Sequence, residues 1–115
     1  MTEELPCPVC GFETVEGNYG NFIICGVCSW EDDGVQLANP CSKGGANGCS
    51  LAEAQEELLN EYPLSVKEVD GHKRSNRWRP LNQSEIETAN LQLKSEVWPN
   101  MGILYERDAY WCKDS

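Results

Sequence analysis

Two short cysteine pairs, Cys7-Pro8-Val9-Cys10 and Cys25-Gly26-Val27-Cys28, constrain this chain more than any other feature. Each pair has two residues between its members, and fourteen residues separate the pairs. A C-x2-C turn offers two corners of a tetrahedron, and two such turns face to face offer four. The spacing therefore predicts a tetrathiolate site formed by Cys7, Cys10, Cys25 and Cys28, holding one Zn(II) per chain. Iron suits the same ligand set. Disulfides would need an oxidising compartment, and no secretory segment precedes Cys7. A thioredoxin-like dithiol would need one such pair at the start of a helix, not two copies. With four sulfurs bound, no coordination position is left for water, so the site is expected to build structure and not to catalyse.

Local residue choices fit such turns. Pro8 presets one backbone dihedral. Gly11 follows the second ligand, where a left-handed backbone is often needed, and Gly26 relaxes the second turn. Between the pairs, Gly17-Asn18 and Gly20-Asn21 separate two apolar arms, 12–15 and 22–24. That pattern predicts a β-hairpin returning Cys25 to the side of Cys10. Further on, Asn39 to Gly48 reads as a loop. Ser50-Leu51-Ala52-Glu53 is a capping box opening a helix with a Leu51, Ala54, Leu58, Tyr62 stripe, stopped by Pro63. A short strand is expected at 66–69. A second helix is expected after Ser84, with the stripe Ile86, Ala89, Leu93, Val97 and a stop at Trp98-Pro99. The apolar tail from Met101 to Cys112 reads as a strand closing the core. The expectation is one α+β domain over 1–115. It comprises a zinc-ribbon module at 6–36, a Gly-rich loop and capped helix at 37–66, and a basic connector, second helix and aromatic tail at 67–115.

Charge narrows the partners. The net charge is −10, from 19 acids against 9 bases. Phosphate neutralisation holds nucleic-acid complexes together, so DNA and RNA are poor partners for such a chain. A basic protein is a better one. Five bases fall within 67–79, leaving 4 bases against 17 acids elsewhere. Lys73, Arg74, Arg77, Trp78 and Arg79 mix cations with an aromatic, the raw material of a nucleic-acid contact. In so negative a field they read first as a loop offsetting nearby acids. No run of 18 apolar residues exists to span a membrane. Seven cysteines without a secretory segment point to a reducing cytoplasm. Cys41 and Cys49, which flank the Gly-rich loop, then read as free thiols rather than a disulfide, and Cys112 is left without an assigned role. His72 lies in a polar connector without a nucleophile beside it, so no catalytic arrangement is legible and the chain is not expected to be an enzyme.

From Pro6 to about Tyr62 the chain resembles the cysteine-rich CPCC family. The resemblance rests on Cys7-Pro8-Val9-Cys10-Gly11-Phe12 and on Ile24-Cys25-Gly26-Val27-Cys28-Ser29-Trp30-Glu31-Asp32-Asp33-Gly34-Val35-Gln36. It extends to Gly44-Gly45-Ala46-Asn47-Gly48 and Ser50-Leu51-Ala52-Glu53-Ala54. Val9 stands where the family carries a cysteine, so that extra cysteine is not a required ligand. Members are often small bacterial proteins, some in toxin-immunity loci. The resemblance therefore implies an immunity protein that covers the active site of a toxin, such as a nuclease with a basic cleft. The acidic residues Glu31, Asp32, Asp33, Glu53, Glu56 and Glu57 are the candidate partner surface, with Trp111 as a candidate hot spot. A nucleic-acid-binding zinc ribbon using 73–79 is the alternative. Glu31-Asp32-Asp33 also reads as a turn in which one carboxylate caps backbone amides.

Overall fold

The computed structural model describes residues 4–43, 45–94 and 102–112 of the chain. The chain is α+β. In order it forms β1 (Glu4–Pro6), β2 (Glu13–Glu16), α1 (Gly34–Ala38), α2 (Leu51–Glu61), β3 (Glu68–Val69), β4 (His72–Lys73) and α3 (Gln83–Lys94). Two 3-10 turns follow, at Glu106–Asp108 and Tyr110–Cys112.

The first hairpin is not the expected one. β2 pairs antiparallel with β1, matching Leu5 to Val15 and Glu4 to Glu16. The arm at 22–24 turns instead to the chain just after the second cysteine pair. Ile24 bridges Glu31, and the Asp32 amide donates to the Ile23 carbonyl at 2.9 Å. Each cysteine pair thus lies at the tip of its own hairpin. Tyr19 explains the change. Its ring is fully buried and its hydroxyl donates to the Pro6 carbonyl at 2.6 Å. A loop whose middle residue must reach the core cannot also be a tight turn between two paired arms.

α2 follows the expected pattern. Ser50 accepts from the Glu53 amide at 3.2 Å, and Glu53 accepts from the Ser50 amide at 3.0 Å. Leu51, Gln55 and Leu58 face the core, while Glu53, Glu56, Glu57 and Glu61 face water. The expected strand at 66–69 is present as the two-residue β3, paired with β4. α3 starts earlier than expected. Asn82 accepts from the Glu85 amide at 2.8 Å and Glu85 accepts from the Asn82 amide at 2.9 Å, so the cap lies two residues before Ser84. Ala89 is buried and Ile86 half-buried. Val97, Trp98 and Pro99 lie outside the described residues.

The tail closes the core, but as 3-10 turns and not as a strand. Its approach is fixed by backbone bonds from the Tyr19 amide to Leu104 and from Ile103 to Gly34. Trp111 is then 5% exposed and meets Tyr19 edge-on, with ring centroids 6.0 Å apart. Gln55 joins three distant segments. Its amide donates to Pro8 and to Tyr110, and its oxygen accepts from the Leu81 amide.

α1 and the Gly-rich loop interlock. Asp33 caps α1 by accepting from the Val35 and Gln36 amides, and its other oxygen accepts from Ala46 at 2.9 Å. Asn47 bonds both backbone groups of Glu31, at 2.9 and 2.8 Å, and the Gln36 side chain at 2.9 Å. At Gly45 a Cβ would stand 2.4 Å from Asp33 Oδ2, so only glycine fits. Glu31 and Asp33 on one side and Gly45-Ala46-Asn47 on the other are thus two halves of one clasp. Asn47→Ala removes three bonds and leaves partly buried partners unpaired, and is expected to cost about 2–3 kcal/mol in urea denaturation.

Candidate metal centre

The two knuckles are built alike. The Cys7 amide donates to the Phe12 carbonyl at 2.8 Å, and the Cys25 amide donates to the Trp30 carbonyl at 2.9 Å. The Cys7 carbonyl accepts from Gly11 at 2.8 Å, and the Cys25 carbonyl accepts from Ser29 at 2.9 Å. The closing residue is left-handed in both, with φ of +77° at Gly11 and +67° at Ser29. One site has glycine and the other serine for a steric reason. A Cβ on Gly11 would lie 2.2 Å from the Trp78 ring, whereas Ser29 is exposed.

The structure brings Cys7, Cys10, Cys25 and Cys28 together, their sulfurs all within 4.8 Å of one another. Cys7 and Cys28 are 3.6 Å apart, and Cys10 and Cys25 are 3.7 Å apart. Sulfurs about 2.3 Å from a shared ion lie about 3.8 Å apart on the edges of a tetrahedron. A disulfide would need about 2 Å. The spacing is that of four ligands around one ion, and the soft thiolate set suits zinc or iron. Val9, where a further cysteine would stand, is a buried core residue.

Electrostatics make the same demand. Burial pushes the Cys7 thiol well up, and hydrogen bonding with Cys25 pushes Cys10 up. Bonds from Cys10, then Cys28 and Cys7, with the Thr14 hydroxyl at 3.1 Å, pull Cys25 down. Four thiolates so close and so buried oppose one another's ionisation. A dication would remove that conflict. The Val27 amide also points at Cys25 Sγ, at 3.4 Å, and such donors orient thiolates around a metal.

Arg74 holds the first knuckle in place, a role that its position in a basic run conceals. Its guanidinium donates to the Cys10 carbonyl at 2.8 Å and to the carbonyls of Tyr62, Pro63 and Val66. It lies over the Phe12 ring, 4.6 Å from the centroid. Burial pulls its pKa down. Trp78 is buried too, donating to the Pro8 carbonyl at 3.1 Å. Arg77 pairs with Glu106 and Arg79 with Glu85. Of the five residues in the basic segment, Lys73 is exposed, Arg74 and Trp78 are interior, and Arg77 and Arg79 hold carboxylates.

The acidic candidates divide likewise. Asp33 belongs to the clasp. Asp32 is 1% exposed, accepts from the Asn21 amide through Oδ2, and is pushed up by burial. Glu31 is half-buried, while Glu53, Glu56 and Glu57 are exposed. Trp111, expected as a partner anchor, is a core residue whose indole donates to Glu106. His72 is half-buried in β4.

A family model described as cysteine-rich CPCC matches residues 5–76. The chain belongs to the cysteine-rich CPCC family. The match runs beyond Tyr62 and takes in β3, β4 and Arg74, the segment that braces the first knuckle. Among curated proteins, none matches the chain. No helix among the described residues is long and apolar enough to cross a membrane.

In this CPCC protein the two left-handed positions make opposite predictions. Gly11→Ala is expected to cost about 3 kcal/mol, from backbone strain and the collision with Trp78. Ser29→Gly is expected to gain about 0.5–1 kcal/mol, because it relieves the same backbone at an open site. Thermal unfolding of the metal-loaded chain measures both.

Proposed function

We propose that this chain is a zinc-stiffened, acidic protein-binding module that acts in the cytoplasm as an immunity protein, occluding a basic toxin rather than catalysing a reaction. The observation that carries the reading is an apolar strip against the metal centre. Phe22, Ile23 and Ile24 are 58%, 38% and 62% exposed, immediately before Cys25. Three adjacent large apolar side chains left in water beside a rigid knuckle are the kind of surface that protein interfaces use. The net charge of −10 favours a basic partner and a fast encounter. The acidic face of α2, with Glu53, Glu56 and Glu57, supports the same sign of partner. Relative to the surface expected from sequence, the apolar strip replaces Trp111, and Asp32 and Asp33 are withdrawn.

Zinc is the proposed ion, one per chain, because a closed thiolate site with no redox role suits a d10 cation. Native mass spectrometry is expected to find one zinc, and a chelator is expected to release it with the fold of residues 6–36. Metal analysis that finds iron, or no metal, rejects this. For the partner, affinity purification from the native host is expected to recover a basic protein. Phe22→Glu with Ile24→Glu is expected to abolish that recovery while leaving thermal unfolding unchanged. Recovery of no protein, or strongly salt-dependent binding of RNA or DNA by the purified chain, would count against it.

A further inference from the structure

The centre is sealed on three of its four sulfurs. Cys7 and Cys10 are 0% exposed and Cys25 is 3% exposed, whereas Cys28 is half-buried. Cys28 lines a cavity of about 260 Å³, and no other cysteine of the centre does. The other described cavities touch none of the four sulfurs' residues. Walls of the cavity also carry the free thiol of Cys49 and the carboxylates of Glu57 and Glu61, with Val9 and Trp30 as its apolar side. The indole nitrogen of Trp30 is buried and, among the described residues, has no hydrogen-bond partner.

We propose that this cavity is the route by which a soft divalent cation enters and leaves the centre: Cys28 detaches first, Cys49 takes its coordination position, and Glu57 and Glu61 hold the cation at the mouth. This rests on the metal reading of the cluster and not on the identity of any protein partner. The alternative routes are closed. Cys7 and Cys10 lie in the core, with Arg74 bonded over the Cys10 carbonyl and Trp78 packed on Gly11. Cys25 accepts from Thr14 and Val27. Freeing any of those three sulfurs means opening the core, whereas freeing Cys28 means turning one side chain into an existing space.

The exchange balances without an oxidant. The bond from metal to Cys28 sulfur breaks, and a bond from metal to Cys49 sulfur forms. The proton leaving the Cys49 thiol ends on the released Cys28 thiolate, directly or through water. The metal keeps its oxidation state. A chelator or small thiol in the cavity then takes the ion by displacing Cys49, the ligand that faces it. Soft sulfur ligands and nearby carboxylates are the ligand types such a cation recognises.

The test uses the zinc-loaded full chain, its single ion first verified by native mass spectrometry. Zinc transfer to excess chromophoric pyridylazo chelator is timed, and samples are quenched with N-ethylmaleimide and mapped. Cys28 is expected to be labelled ahead of Cys7, Cys10 and Cys25. Cys49→Ser is expected to slow release several-fold with stoichiometry and thermal unfolding unchanged. Glu57→Gln with Glu61→Gln is expected to slow exchange with free isotopically labelled zinc about tenfold at low ionic strength. That difference is expected to shrink at high salt. Labelling of all four cysteines together would overturn the proposal, as would release from Cys49→Ser at the wild-type rate. A wild-type chain that holds no metal would overturn the reading of the centre itself.

Discussion

Four sulfurs crowded within 4.8 Å, three of them buried, set the terms for everything around them. Such a cluster is unfavourable unless a cation shares it, because only some of the thiolates can ionise in a low-dielectric setting. Structural zinc contributes about 10–16 kcal/mol of apparent binding energy in zinc-finger peptides. That is comparable to the whole net stability of an ordinary domain, about 5–15 kcal/mol. The β structure among the described residues is two ladders of two strands each and two isolated bridges, pairings that are marginal on their own. An ion bound there would hold the two cysteine hairpins together, and its site in turn depends on those hairpins.

Around that centre the chain replaces missing secondary structure with buried polar side chains aimed at backbone. Arg74 satisfies four carbonyls, Gln55 ties the first knuckle to α2 and the tail, and Asn47 stands in for a strand beside Glu31. Each bonds several backbone groups on loops that would otherwise bury them unpaired. This explains why charged and polar residues lie inside the structure. It also explains why its acids and bases are poor guides to its surface. Net charge still counts at long range, where the whole chain acts as a negative object.

Rigidity and access then divide between the faces of the centre. Trp78, Phe12 and Arg74 close one side. The Phe22–Ile24 strip lies in water just before the second knuckle, and Cys28 borders a cavity between that knuckle and α2. A stiff frame holding an apolar strip would lose little entropy if a partner docked there, which is the physical argument behind the proposed surface.

What could be read from residue order alone was whatever depends on short spacing. C-x2-C pairs, the Ser50–Glu53 box and the stripe of α2 are local, and a few backbone angles decide them. The left-handed turn after the second cysteine is local too, but glycine is required at position 11 because Trp78 packs on it. Strand partners were not local: Tyr19 had to reach the core before the 12–24 stretch could pair differently at each end. Burial was not local either. Arg74 and Trp78 read as part of a basic loop until Gly11 and the carbonyls of the first knuckle came to meet them. For Asp33 residue order offered both a surface charge and a capping carboxylate, and the amides of α1 and Ala46 meet the second. Composition says how many charges a chain carries, but only packing decides which of them meet backbone groups and which meet water.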